Sequence, residues 1–248
     1  MTAPSFVDDL LAWRTLEKKT VNRLGRPYAP NCADVDNCDI ADYIYAGRKV
    51  ARIKPSGQNM GTDLEELVLE DLIPRVRRLD PRRSWDGARK RKVSDFTQYS
   101  HLKVLDRRMK EDLVLRTEFG REYTIKPDIT IGSGTSSELF LHAVISVKWS
   151  MRNDRVQNVR PEGALLSRHR RGRPPHFVVV TTEPLPTRIA AIAMTTGEVD
   201  SVYHVMFDEM EEAVKEVGSK EQRARWKELV TQGRVRDYNT LPEVLTTT

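Results

Sequence analysis

The residues from Pro127 to Glu162 include the side-chain types that cleave a phosphodiester with the help of a metal ion. Pro127-Asp128 precedes an apolar run, a turn rich in Gly and Ser, and a second apolar run that ends at Lys148. A divalent cation offsets charge on a phosphate and lowers the pKa of the attacking water, and a hard cation needs oxygen ligands. Asp128 supplies a carboxylate and Val147 a carbonyl, while the Lys148 ammonium can position the water or stabilise the transition state.

The two apolar runs indicate how these groups are held. Residues 129–131 and 139–147 are rich in apolar and β-branched side chains, and residues 132–138 between them are mostly Gly, Ser and Thr. This pattern predicts two strands of a hairpin in a buried sheet. We therefore expect Asp128 and Lys148 to lie near one edge of that sheet.

Four features in this region, a P-D pair, an S-x-K segment, a later Glu and an R-x-D-R cluster, resemble the PD-(D/E)XK nucleases. Within that superfamily they resemble the NgoMIV-like type II restriction endonucleases, which recognise CCGG cores. The residue two before Lys148 should be acidic and is Ser146, and in this branch a helix further along the chain supplies the acid. Glu162, which opens E-G-A-L-L, matches it. The resemblance implies that Asp128, Val147 and Glu162 hold Mg²⁺, with two ions per site.

The resemblance also implies a glutamate on a helix upstream of Asp128, in a G-x-x-hydrophobic-E segment. Residues 61–65 read G-T-D-L-E, so Glu65 matches this position. Glu66 and Glu70 belong to the same predicted helix and are alternatives. Most helical glutamates are surface groups that pair with side chains four residues away, which is the structural alternative for Glu65.

Sequence readout is predicted for Arg152, Asp154 and Arg155. Arginine binds guanine O6 and N7 in the major groove, and aspartate accepts from the cytosine amino group, so these residues suit stacked C·G pairs. The resemblance implies the same CCGG core. The structural alternative for these three residues is a surface ion-pair cluster. For Pro127-Asp128 the alternative is a turn, and for Lys148 it is a solvated charge at the end of a strand.

Isolated positions outside the core extend the resemblance. It implies a Gln that enters the minor groove, an Arg that reads an outer guanine, and an acid from the N-terminal region that partners the outer pair. Gln58 and Arg188 match the first two positions, and Asp34 or Asp36 matches the third. Together they favour the site GCCGGC.

The composition permits binding to nucleic acid. The chain has 248 residues, a net charge of +5 and a pI near 9.2. Residues 75–92 include nine basic side chains, which can neutralise phosphates or form a solvated loop.

We expect one restriction-endonuclease-like domain over residues 1–248. Its nuclease core is expected at about 58–207, with an N-terminal helix and irregular segment at 1–57 and a C-terminal helix and tail at 208–248.

The predicted elements give an α/β protein, a mixed β-sheet flanked by helices on both sides. They are helices at about 5–19, 62–74, 95–112, 186–194 and 208–231, the hairpin, and strands at 177–181 and 202–207. Residues 20–60 are expected to be irregular, the basic run to residue 92 an exposed loop, and the tail from 237 loosely ordered.

Cysteine usage and hydropathy favour a cytoplasmic protein with no membrane segment. Cys32 and Cys38 are the only cysteines, too few for a zinc site, although a disulfide between them is open.

A palindromic DNA site calls for a homodimer, and the resemblance implies a homotetramer. Two other classes stay open, a non-catalytic DNA-binding protein and a repair nuclease without site specificity. Intact Asp128, Lys148 and Glu162 argue against the first, and the R-x-D-R cluster against the second.

Overall fold

A mixed β-sheet forms the centre of the molecule in the computed structural model. The structure describes residues 3–17, 20–112, 114, 117, 125–135, 138–151, 159–194 and 197–247. Two short strands pair with each other, β1 (Trp13–Thr15) and β2 (Tyr28–Pro30). Six strands form the main sheet in chain order, namely β3 (Trp85–Arg89), β4 (Ile129–Gly134), β5 (Leu139–Lys148), β6 (His176–Thr181), β7 (Ser201–His204) and β8 (Val235–Asp237).

Helices surround this sheet. In chain order they are α1 (Phe6–Leu10), α2 (Asp39–Gly47), α3 (Met60–Leu79), α4 (His101–Glu111), α5 (Val159–His169), α6 (Pro186–Ala193), α7 (Phe207–Val217), α8 (Lys220–Thr231) and α9 (Leu241–Thr246). None of the helices in the described ranges is both long enough and apolar enough to cross a membrane.

The predicted α/β architecture and the hairpin are confirmed. Strands β3, β4 and β5 are antiparallel, whereas β5 to β8 are parallel. Residues 141–147 of β5 are all buried, because both faces of this central strand are covered. Ile129 pairs with Ile145, and Lys148 pairs with Thr181 at the end of β6. This register places Asp128, just before β4, close to the residues that precede Lys148.

Helix α3 packs directly on β3. Leu64, Val68 and Leu72 are fully buried and recur every four residues, so they form one apolar stripe. A Cβ on Gly87 of β3 would lie 2.4 Å from Cδ1 of Ile73, so the close contact requires glycine there. This packing carries the first turns of α3, with their glutamates, to the sheet.

The N-terminal quarter of the chain is more structured than predicted. The expected helix to residue 19 ends at Leu10, where the Asn31 side chain donates to the Leu10 carbonyl at 3.0 Å. The Asn31 N–H donates to the Ala12 carbonyl at 3.0 Å, so the following residues join β2 as β1. The prediction of irregular structure over 20–60 is therefore wrong for β2 and for α2.

The basic run is also more structured than predicted. Helix α3 continues past Pro74 to Leu79, because Val76 is buried and Arg77 donates to the Trp85 carbonyl at 3.0 Å. Trp85 then begins β3, where an exposed loop was expected. Two 3-10 turns, at 93–95 and 97–99, precede α4 in the segment expected to be one helix.

The C-terminal region differs in three places. The expected strand over 202–207 ends at His204. The single helix predicted over 208–231 is divided at Gly218, after which Ser219 begins α8 with a capping box. The tail is not loosely ordered, since Leu241 and Leu245 are fully buried and the Tyr238 hydroxyl donates to Asp71 of α3 at 2.8 Å.

Candidate active site

Asp128 is held by the S-x-K segment of β5. Its Oδ2 accepts from the Val147 N–H at 2.8 Å, from Lys148 Nζ at 2.8 Å and from the Ser146 hydroxyl at 3.4 Å. The side chains of Asp128 and Lys148 are 24% and 18% exposed, so the ion pair is shielded but still open to a substrate. Ser146, which stands where an acidic residue was expected, thus contacts the Asp128 carboxylate directly.

The Val147 carbonyl is directed to the same place. Its N–H points to Asp128, and in an extended strand the N–H and C=O of one residue point to the same side. The carbonyl therefore points past the end of β4. Asp128, Val147 and Lys148 line one cavity of about 270 Å³. A carboxylate, a backbone carbonyl and an ammonium are thus brought together.

Glu162 lies in the first turn of α5, close to this group. A Cβ on Gly163 would lie 2.8 Å from the Phe177 ring, so glycine lets α5 approach β6 closely. Burial, followed by the charge of Asp128, raises the pKa of Glu162 to about 7, while Lys148 opposes the rise. The relocated carboxylate is therefore electrostatically coupled to the Asp128–Lys148 pair.

Of the three candidate glutamates of α3, Glu65 lines the cavity. It is 7% exposed, and its Oε2 lies 3.2 Å from Nη2 of Arg89 and 3.6 Å from Nζ of Lys90. The Glu66 side chain is 59% exposed and pairs with Arg89, and Glu70 is exposed on the helix surface. This placement favours Glu65, whose role in the chemistry stays a prediction.

A second cavity, of about 440 Å³, adjoins the first, since Asn59, Gly61 and Trp149 line both. It is lined by Asp34 and Gln58, two of the residues predicted to contact DNA.

Arg188 and the two candidate acids are now placed. Nη1 of Arg188 lies 3.7 Å from Oδ2 of Asp34. Asp36 instead forms an ion pair with Arg14 at 2.6 Å. The structure therefore groups Asp34 with Gln58 and Arg188, and which of the two acids contacts DNA stays a prediction. Residues 152–158 lie outside the described residues, so Arg152, Asp154 and Arg155 are not placed.

The sequence analysis missed Glu183, which is fully buried. Its carboxylate accepts from the Met151 N–H at 2.7 Å and lies 3.9 Å from Nη1 of Arg188. It thus connects the residue before the predicted readout segment to the Arg predicted to read an outer base. An acid directly after the buried run 177–182 was a signal for it. Arg89 and Lys90 were also missed as individual residues, because they were assigned to a loop.

The donor atoms of this site suit a hard cation. Two carboxylates, of Asp128 and Glu162, and the Val147 carbonyl are oxygen ligands of the type that Mg²⁺ prefers. In the described ranges, no three His, Cys, Asp or Glu side chains converge closely enough to hold a metal by themselves. The backbone carbonyl and water would therefore complete the coordination. Cys32 and Cys38 are buried free thiols.

Comparisons with known proteins identify the family of the chain. The family model of the NgoMIV restriction enzyme matches residues 31–135 and 132–247. The chain is 32% identical over 237 residues to the Type II restriction enzyme NgoMIV of Neisseria gonorrhoeae, covering 82% of each protein. Among solved structures, the Bse634I restriction endonuclease is similar, with 14% identity and a TM-score of 0.43 over 71% of this chain and 81% of that one.

The match of this family model to most of the chain, together with the 32% identical relative, defines the chain as a restriction enzyme. The chain belongs to the NgoMIV restriction enzyme family. It is therefore a type II restriction endonuclease, a hydrolase that cuts DNA at specific sites, from a family that generally depends on a divalent metal. Membership of this family excludes the two alternatives left open by the sequence, a repair nuclease without site specificity and a non-catalytic DNA-binding protein.

Proposed function

We propose that the enzyme hydrolyses double-stranded DNA with Mg²⁺ at GCCGGC, a palindrome with a CCGG core. The observation that carries the catalytic half is the ion pair of Asp128 with Lys148 at 2.8 Å, beside the Val147 N–H and carbonyl. Asp128, the Val147 carbonyl and Glu162 would hold the cation, with two ions in each site. The bound cation would lower the pKa of water and offset phosphate charge.

The protein's own groups divide the remaining work. Asp128 fixes the Lys148 ammonium, which is then aimed at the cavity as a cation able to orient a water or to stabilise charge in the transition state. Ser146 and the Val147 N–H hold the Asp128 carboxylate in one orientation. Glu65 faces the same cavity and is held in turn by Arg89, so it can contribute a further oxygen.

The specificity rests on two groups of residues. Arg152, Asp154 and Arg155 would read the CCGG core, because two arginines suit two guanines and an aspartate suits cytosine amines. Gln58, Arg188 and either Asp34 or Asp36 would read an outer G·C pair, as the family resemblance implies, and Asp34 and Gln58 line the cavity that adjoins the catalytic one. Catalysis and outer readout would then occur in one continuous groove.

A palindromic site requires two copies of the chain, so the enzyme would act as a homodimer or a homotetramer. Its proposed compartment is the cytoplasm. The direct test digests a plasmid of known sequence with Mg²⁺ and maps every end. The proposal predicts ends at GCCGGC alone. Cleavage at sites without CCGG would refute the specificity, and DNA left intact with Mg²⁺ would refute the mechanism. Light scattering of the complex with a one-site duplex gives the number of copies.

A further inference from the structure

Lys90 has an unusual backbone conformation beside the catalytic cavity. In the described part of the chain, Lys49 and Lys90 are the two non-glycine residues with positive φ, each at 52°. The left-handed region brings Cβ close to the following carbonyl oxygen and is disfavoured for lysine. Such conformations often occur at functional sites, so the contacts of Lys90 can indicate whether it has a function there.

The backbone of Lys90 is fixed to the catalytic aspartate. It follows β3, and its N–H donates to the Asp128 carbonyl at 3.1 Å. Lys90 lines the cavity that Asp128 and Lys148 also line, and its Nζ lies near Glu65 of the same lining. The left-handed turn therefore directs a second lysine toward the place where the scissile phosphate would bind.

The ammonium of Lys90 is available for a substrate. Its side chain is 58% exposed, and Nζ lies 3.6 Å from Oε2 of Glu65. Glu65 is already held by Arg89, with contacts of 3.2 and 3.3 Å to Nη2 and Nε. An exposed ion pair adds little to stability, so the contact with Glu65 does not account for the backbone conformation. Lys148, by contrast, is bound to Asp128.

We propose that Lys90 binds a phosphate of the DNA strand that occupies the catalytic cavity. This inference rests on the proposed DNA cleavage and adds a substrate contact to it. When DNA enters, the ammonium exchanges the Glu65 carboxylate for a phosphate oxygen. The contact involves the sugar–phosphate backbone, so it strengthens binding to any sequence and carries no base specificity.

The chain offers a matched pair of variants. Glycine adopts a positive φ without penalty, so Lys90→Gly and Lys49→Gly each remove one lysine from a left-handed position. Both variants should therefore melt at or above the temperature of the unaltered protein. Lys49 is exposed at the end of α2 and does not line either cavity described above. Lys90→Arg keeps the charge, and Lys90→Asn supplies a second neutral variant whose side chain tolerates this backbone.

Binding is measured without Mg²⁺ on two duplexes, one with GCCGGC and one without CCGG, between roughly 50 and 200 mM salt. Lys90→Gly and Lys90→Asn should weaken binding to both duplexes by a similar factor, about tenfold at the lowest salt. The slope of log K against log salt should become shallower by about 0.9, the loss of one phosphate contact. Lys90→Arg and Lys49→Gly should keep the original slope. Cleavage at subsaturating DNA should slow only in the two neutral Lys90 variants.

The inference is overturned if Lys90→Gly binds with the original slope and cuts at the original rate. It is also overturned if Lys49→Gly shows an equal loss, because the effect would then come from the backbone change. A change confined to the GCCGGC duplex would assign Lys90 to base readout instead, against the inference. If the unaltered protein binds and cuts neither duplex, the proposed function itself fails, an outcome that differs from all of these.

Discussion

Replacing Glu162 with glutamine should stabilise the metal-free protein at alkaline pH and leave it unchanged in acid. Burial and the Asp128 carboxylate raise the pKa of Glu162 in the folded protein to about 7 from its ordinary 4.5. Below pH 4.5 the side chain is protonated in the folded and the unfolded state, so it does not change the free energy of unfolding. As pH rises from 4.5 to 7, the unfolded chain releases its proton first, so the folded state loses stability. Above 7 the loss is complete.

The size of the effect follows from the same two values. Each pKa unit is about 1.4 kcal/mol, so the ionised Glu162 destabilises the folded protein by at most about 3 kcal/mol at pH 8. Glutamine has nearly the same shape and no charge, so Glu162→Gln should recover most of this free energy. A bound cation would repay the same cost. At a Mg²⁺ concentration of about 100 Kd, the unaltered protein should gain about 2.7 kcal/mol, and the variant much less.

The assay is urea unfolding of both proteins at pH 4.5, 6 and 8, with EDTA and with Mg²⁺. The difference between the two free energies of unfolding cancels other titrating groups, such as buried Glu183, His142 and His204. Glu70→Gln, which removes an exposed carboxylate of α3, controls for the loss of one negative charge. A difference that is flat between pH 4.5 and 8, or equal stabilisation of both proteins by Mg²⁺, would refute the reasoning.

Three further predictions concern the carboxylate position and the readout. Ser146→Glu combined with Glu162→Ser should recover measurable cleavage that Glu162→Ser alone loses, because either backbone position can present a carboxylate to the cation; full activity of Glu162→Ser would disprove this assignment. Arg155→Ala should weaken binding to GCCGGC at least about tenfold in gel-shift titrations, since a bidentate contact is worth roughly 1–3 kcal/mol, and equal losses on DNA without CCGG would contradict base readout. Glu183→Gln should reduce the ratio of cleavage at GCCGGC to that at sites with other outer pairs, because it weakens the contact with Arg188; an unchanged ratio would leave Glu183 as a folding residue only.

The edge of the sheet that brings Asp128 to Lys148 was predictable because its signals are local. Apolar runs on both sides of a Gly- and Ser-rich turn specify the hairpin, and the antiparallel register then brings Asp128 to Lys148. Glu162 was predicted through a family resemblance. Its position depends on Gly163, which lets α5 approach Phe177, and this contact between distant residues is not visible in the local pattern.

The parts that were predicted wrongly depend on contacts between distant residues. Helix α1 ends where Asn31, twenty-one residues away, binds its last carbonyl. The tail is ordered because Leu241 and Leu245 are buried and Tyr238 bonds to α3, whereas so short a helix would be marginal alone. The different ion-pair partners of Asp34 and Asp36, Arg188 and Arg14, were likewise not visible in the sequence, because each pair joins residues distant in the chain.

Single-turnover cleavage by Asp128→Asn tests the central claim most directly. The substitution keeps the size of the side chain and its contacts with the Val147 N–H, but it removes the charge that holds Lys148 and would bind the cation. Binding to a GCCGGC duplex without Mg²⁺ should stay close to that of the unaltered enzyme, because no base contact is lost. With saturating Mg²⁺, cleavage of the bound duplex should fall to background. Retention of even a tenth of the original rate would contradict the assignment of Asp128 as the metal-binding carboxylate.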